Sequence, residues 1–311
     1  MLRLRPGILP ADYAPMAAIL NASRALPTTP EDLAATHGWW PEGSISYRMI
    51  AEDGAGQVIG FMEAYRFPNT AEGKFYVNVV VLPASRNRGT GSALLSEAER
   101  FVAAQGGNRL EGDVQDTDAA SLAFMEKRGY KVERHGYDST LELRGRDENC
   151  FAHALDAVEA AGIRFFTLAD RDTPALRRAL YELYGRTMVD IPGYEARSFM
   201  AYETWSQFLV GGKGFRPDWV IIAADGDRLV GVTQAIDCQD HIYTNHTLVD
   251  QAFRGRGIAR ALKVLAIRAA IRHGAPSMRT GNDSLNGPML ALNRKLGYKP
   301  LAGDYTVVRR L

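Results

Sequence analysis

VVVLPASRNRGTGSALL (residues 79–95) and TLVDQAFRGRGIARALK (residues 247–263) carry the same punctuation 168 residues apart. Arg86, Arg88 and Gly89 align with Arg254, Arg256 and Gly257. Further on, Lys127, Gly129, Tyr130 and Lys131 align with Lys295, Gly297, Tyr298 and Lys299 at the same offset. Upstream, Val58-Ile59-Gly60 matches Leu229-Val230-Gly231 at an offset of 171. One offset shared by separate motifs marks an internal repeat rather than a turn that happens to recur.

Working outward from the repeat, both halves read alike. Alternating segments at 2–5 and 163–168 precede helical patterns at 13–23 and 173–188. Strands follow at 46–52, 58–66 and 74–82, and at 219–225, 228–236 and 243–249. A glycine-containing turn then opens a helix whose apolar residues recur every three or four positions: Leu94, Ala98, Phe101 and Val102, then Ala261, Leu262 and Leu265. A strand (109–113; 277–280), a short helix ending at the Gly-Tyr pair and a terminal strand (139–143; 305–309) complete each unit. Between them, 147–161 reads as a linker helix with Phe151, Leu155 and Val158 on one face and Gly162 as its stop. The expected division is an N-terminal domain at 1–146, the linker at 147–161 and a C-terminal domain at 162–311.

The chain has 311 residues, 46% hydrophobic and 23% charged, enough for two cored domains and too apolar for wholesale disorder. Lysine and arginine total 37 against 36 acidic residues, a net charge of +1 that argues against nucleic acid or an anionic membrane as the main partner. Cys150 and Cys238 stand far apart with no ligand spacing, so neither a disulfide framework nor a metal site is expected. No apolar run approaches the ~20 residues of a membrane span. Pro6, Pro10, Asp12 and Pro15 interrupt what a signal peptide would need, so a cytoplasmic protein is the expectation.

A strand that ends in Arg-x-Arg-Gly or Arg-Gly-Arg-Gly and runs straight into a helix gathers backbone N–H groups at a positive helix end. That is an anion site suited to a pyrophosphate, with glycine allowing close approach and Arg88 or Arg256 adding charge-assisted bonds. Two other phosphate loops fail. The dinucleotide fingerprint lacks its third glycine, and no Walker run exists.

Both halves resemble the GNAT superfamily of acyl-CoA-dependent N-acyltransferases. Its motif (Q/R)-x-x-G-x-(G/A) is matched by Arg86-Asn87-Arg88-Gly89-Thr90-Gly91 and by Arg254-Gly255-Arg256-Gly257-Ile258-Ala259. The match covers nearly the whole chain as a tandem pair, similar in architecture to mycothiol synthase and related bacterial double-GNAT proteins. The resemblance implies an α/β (α+β) fold of two tandem GNAT domains, each a twisted mixed sheet flanked by helices, with acyl-CoA, acetyl-CoA above all, between two splayed strands. By that analogy Val79, Val80 and Val81, and Thr247, Leu248 and Val249, bind the pantetheine arm. The loops Asn87, Arg88, Gly89, Thr90, Gly91 and Ser92, and Gly255, Arg256, Gly257, Ile258, Ala259 and Arg260, bind the pyrophosphate. Asn286 stands where the family often places a CoA-contacting asparagine. The first half has Asp118 there, an unfavourable charge beside an anion, which favours the second domain as the cofactor site.

Acyl transfer to an amine needs a base for the amine, stabilisation of the oxyanion and a proton for the departing thiolate. Many GNAT enzymes supply that proton from a tyrosine five residues before the aromatic of the Gly-aromatic pair. Met125 and Asn293 occupy those places, leaving Asn293 as a hydrogen-bond donor to sulfur and the proton donor open. Base candidates are His246 and Asp237, with Asp250 and His241 behind them, and Glu63 in the first half. Tyr194, Tyr202, Trp205 and Phe208, and Trp39, Trp40 and Tyr47, read either as pocket walls or as core. The expected activity is N-acetylation of a small-molecule amine by direct attack on the thioester, with the C-terminal domain catalytic. A non-catalytic acyl-CoA-binding or scaffold protein and a protein amine as acceptor stay open, as does a monomer with an internal pseudo-dimer against a homodimer.

Overall fold

A computed structural model describes residues 1–23, 27–149, 151, 153–194, 199–210 and 214–311, excepting the side chains of Phe208 and Val210. Cys150 and the Phe208 side chain therefore lie outside what is described. The chain forms two compact units: unit 1 holds Met1–Glu133 and Tyr305–Leu311, and unit 2 holds Arg134–Asp304.

Unit 1 begins with β1 (Arg3–Pro6), α1 (Tyr13–Ser23), α2 (Pro30–Gly38), β2 (Ile45–Glu52), β3 (Val58–Arg66) and β4 (Lys74–Val81), then α3 (Thr90–Ala104), β5 (Arg109–Gln115) and α4 (Ala119–Glu126). Its strands pair in the order β1-β2-β3-β4-β5, antiparallel except for the parallel β4–β5 pair. Leu94, Leu95, Ala98 and Val102, the apolar face of α3, pack one side of the sheet against Met62, Phe75 and Val77. Met16, Ile19 and Leu20 of α1 cover Ile50, Phe61 and Val80 on another part of it.

β6 (Lys131–Glu142) leads into α5 (His153–Ala160), β7 (Ile163–Thr167), α6 (Pro174–Met188), α7 (Tyr202–Val210), β8 (Phe215–Asp225), β9 (Arg228–Asp237), β10 (Ile242–Val249), α8 (Ile258–Arg272), β11 (Ser277–Asp283), α9 (Gly287–Leu296) and β12 (Lys299–Arg310). Within unit 2 the order is β7-β8-β9-β10-β11-β6, with β10–β11 the parallel pair. Ala261, Leu262, Val264 and Ile267 of α8 form one core. Leu180, Leu183 and Tyr184 of α6 and Trp205 of α7 form another.

The compact units do not follow the repeat boundaries at 146 and 162. Residues 136–142 of β6 pair with β11 in unit 2, while residues 305–311 belong to unit 1, where Val307 is fully buried and the Leu311 N–H donates to Asn108 O at 2.9 Å. Each unit is thus finished by a strand from the other copy of the repeat. The linker segment forms its helix over 153–160, stopped by Gly162 at φ +88°, and Leu155 and Val158 are buried in the unit 2 core. Pro30 and Pro174 start α2 and α6 behind the threonine caps Thr29 and Thr173, whose side chains accept the N–H of Asp32 and Leu176. None of the described helices is long and apolar enough to cross a membrane.

Candidate active site

In each unit the parallel strand pair holds together over three residues and then stops pairing. β4 pairs with β5 over Lys74–Tyr76, and β10 pairs with β11 over Ile242–Thr244. Beyond these points lies a fork. Here the units differ: β10 carries a bulge between Thr244, opposite Ala235, and His246, opposite Gln234, so Asn245 has no register partner, whereas β4 pairs with β3 without interruption.

The loops that follow share one backbone form. Asn87 (φ +59°) and Gly89 (φ +86°) flank Arg88; Gly255 (φ +77°) and Gly257 (φ +83°) flank Arg256. Left-handed residues on either side of an ordinary one turn successive N–H groups toward a common point, and Gly89 and Gly257 are the N-caps of α3 and α8, so each loop is an anion cradle at a helix start. The first arginine of each motif braces the loop. Arg86 Nε donates to Val81 O (3.3 Å) and pairs with Asp118 (3.2 Å), and Arg254 Nε donates to Val249 O (3.1 Å) and pairs with Asp190 (2.5 Å). Asp118 also accepts the Ser121 N–H and hydroxyl; burial opposes its charge, but these bonds and Arg86 hold its carboxyl below the usual range. Its charge is thus met inside unit 1, and Asp118 serves there as the N-cap of α4.

Two cavities meet at Thr247 and Leu248 in unit 2. The first, about 350 Å³, is lined by Thr247, Leu248, Val249, Gly255, Gly257, Ile258, Ala259, Arg260 and Asn286. These are nine of the ten unit 2 residues expected to hold CoA. The tenth, Arg256, is exposed, over the Phe253 ring at 4.7 Å and donating to Ala252 O. Thr187, Ile191, Met289 and Leu292 add walls that the motif did not suggest. In unit 1, Val80, Val81 and Thr90 are buried, Arg88 is exposed and Ser92 Oγ accepts from Arg128.

The second cavity, about 360 Å³, has His246, Thr247, Lys263, Thr280, Asn282 and Asp283 among its walls. His246 stands beside the bulge with its ring edge-on to Tyr184 at 5.8 Å; its Nδ1 is buried without a hydrogen-bond partner among the described residues. Burial pushes its pKa down from 6.5, so the imidazole is neutral at neutral pH. Asn293 lies behind the wall, its Nδ2 donating to Asn282 Oδ1 at 2.8 Å, so the amide expected to face sulfur is spent on the neighbour that lines the cavity.

The other base candidates stand apart. Asp237 lies at the far end of β9, opposite Ile242, accepts the Gln239 N–H and faces His273 at 3.4 Å. His241 pairs with exposed Asp240 (2.7 Å), and Asp250 is tied to Arg228 (3.0 Å) and Arg186 (3.4 Å). Glu63 is buried in unit 1 between Arg48 and His37 Nε2, whose Nδ1 meets Tyr13 Oη at 3.1 Å. Among the aromatics, Trp205 is core between Tyr181 and Tyr184, Trp40 packs on Tyr65, Tyr47 stacks on Phe101, and Trp39 is exposed. Tyr202 stands edge-on to Tyr181, and burial raises the pKa of Tyr194.

The acetyltransferase (GNAT) family model matches residues 14–130 and, a second time, 177–298. The chain belongs to the acetyltransferase (GNAT) family. As a tandem GNAT protein it is similar over 99% of its length to a GCN5-related N-acetyltransferase from Sphaerobacter thermophilus (95% of that chain, 18% identity, TM-score 0.69). It is also similar over its whole length to a tandem GNAT protein from the clavulanic acid biosynthesis pathway (98% of that chain, 21% identity, TM-score 0.68). At these identities the likeness is one of fold. An L-2,4-diaminobutyric acid acetyltransferase from Nocardia farcinica is 35% identical over 70 residues, 22% of this chain. That match spans 36% of the length of this curated relative.

Proposed function

We propose that unit 2 transfers an acyl group, acetyl first among them, from CoA to the amine of a small molecule. The observation that carries this reading is the meeting of two cavities on one strand: a helix-start anion cradle on one side of Thr247 and Leu248, a desolvated imidazole on the other. The residues present fit CoA. The N–H groups at Gly255 and Gly257 and the α8 N-terminus suit the pyrophosphate, Arg260 adds positive charge, and the unpaired stretch of β10 suits an extended amide-bearing arm. When bound, acetyl-CoA supplies an activated thioester.

The protein's own part follows from the surroundings of His246. A neutral imidazole accepts the proton that an amine sheds as it bonds to carbon, and exclusion of water strengthens each such contact. The backbone at the Asn245 bulge leaves the strand ladder, which frees polar groups for the developing oxyanion. Walls that include Asn245 and the paired Arg134 and Asp283 suit a polar amine of roughly amino-acid size, the class named in the diaminobutyrate relative. Unit 1 keeps the cradle without the bulge or the imidazole, which supports a structural or CoA-binding role for it.

Calorimetric titration of acetyl-CoA into the full chain tests this. One equivalent bound, and lost in Gly257→Glu, is the expected result. Full binding by Gly257→Glu would move the site out of unit 2.

A further inference from the structure

The floor of the unit 2 fork is polar where that of unit 1 is apolar. At the repeat offset of 168, Lys263, Thr280, Asn282 and Asn293 correspond to Leu95, Gly112, Val114 and Met125, and by strand register Thr244 corresponds to Val77. Val77, Leu95, Val114 and Met125 belong to the unit 1 hydrophobic core. Lys263 is the largest departure. It is 2% exposed, and its Nζ has no hydrogen-bond partner among the described residues. The Tyr298 ring at 5.1 Å offers only a cation–π contact, which falls short of the desolvation penalty of a buried ammonium. Leucine at this place on α3 shows that the fold does not need the ammonium. What sets it apart is its place in the wall of the cavity that holds His246 and Thr247. The other charged or titratable groups in that wall are Arg134 and Asp283, which pair with each other at 2.9 Å, and His246.

We propose that Lys263 is the group that protonates the departing CoA thiolate, a catalytic residue for the reaction assigned above to unit 2, on which this inference rests. The acceptor nitrogen bonds to the thioester carbon, and the carbon–sulfur bond breaks with its electron pair on sulfur. The Lys263 ammonium gives sulfur a proton and ends as a neutral amine. His246 takes the proton shed by nitrogen and returns it to solvent, from which Lys263 is recharged. A buried lysine suits this turnover because burial pushes its pKa down to about 7, so that it both gives and regains a proton near neutrality.

The chain has only seven lysines, so ¹³Cε-lysine NMR of the full-length protein resolves them. One signal titrating near pH 7 and missing in Lys263→Leu is expected. CoA should move that titration upward by a unit or more, and desulfo-CoA should leave it in place. In the same variant kcat should fall about 100-fold with loss of its alkaline limb, while acetyl-CoA affinity stays within threefold. A Lys263 titration indifferent to CoA, or native kcat with an unchanged alkaline limb in Lys263→Leu, would overturn the proposal and leave the acyltransferase reading standing. Failure of the native protein to bind CoA in calorimetry would overturn both.

Discussion

Two copies of one loop, with matching left-handed residues at matching places, sit above two different interiors. In unit 1 the floor of the fork is Val77, Leu95, Val114 and Met125, ordinary core; in unit 2 it is Thr244, Lys263, Asn282 and Asn293. The Glu63 position shows the same divergence. Glu63 is locked between Arg48 and His37, whereas its counterpart Gln234 donates to Leu209 O at 3.3 Å and stands opposite His246. A phosphate cradle is a backbone feature and survives wherever its glycines do. A reaction centre is made of side chains, so under the function proposed above it is the fork, rather than the loop, that would separate a working unit from a structural one.

The sharpest way to break this comparison is to block each cradle in turn. Gly257→Glu is expected to abolish acetyl-CoA binding and turnover, since it adds a negative charge at the cradle and a Cβ 3.3 Å from Val158 at φ +83°. Gly89→Glu, with open space around its Cβ, should leave turnover intact. Equal loss in both variants, measured by calorimetry and thiol release, would erase the difference between the units.

Next in size is His246→Gln, expected to lower kcat about 100- to 1,000-fold. Burial lowers the imidazole pKa, so the native rate should fall only as pH drops below 6.5, and that acid limb should vanish in the variant. An identical pH–rate profile would remove His246 from the chemistry.

Glu63→Gln is expected to cost unit 1 on the order of 1–3 kcal/mol by leaving the half-buried Arg48 without its carboxylate, with kcat unchanged. Denaturant unfolding reads the first effect; a drop in kcat would return Glu63 to the list of bases. Lys263→Leu should raise stability by on the order of 1–4 kcal/mol. The folded pKa of about 7 lies below the ordinary 10.5, so the native chain carries the full penalty at pH below 7. The gain should therefore shrink as pH rises from about 7 to 10.5. Asp237→Asn, far along β9 from His246, should change turnover less than twofold.

Much of the fold was legible because repeat, glycine and apolar period are local signals. The span 58–66 and the helix at 13–23 match their strand and helix to the residue. The backbone form of the helix-start loop was legible for the same reason, and its arginines show the limit: the type of residue is local, but which one braces Val249 O and which faces solvent is settled by Asp190, far away in sequence. The Asn245 bulge leaves no mark in a constant offset, since one extra strand residue is absorbed where the copies cease to resemble each other. Helices α2 and α7 fall in stretches read as loop or aromatic wall. The signal for Lys263 is present in the sequence, as a charge aligned with a core leucine of the other copy.

The exchanged last strands bear on how the protein is made. During synthesis the first unit leaves the ribosome without its final strand, since residues 305–311 are translated after every residue of unit 2. The edge of β5 must wait exposed through some 170 further residues of elongation, roughly ten to thirty seconds at cellular rates. Completion of unit 1 is therefore tied to a single late event. A nascent chain halted before residue 305 should hold unit 1 open to chaperones and proteases, whatever the state of unit 2.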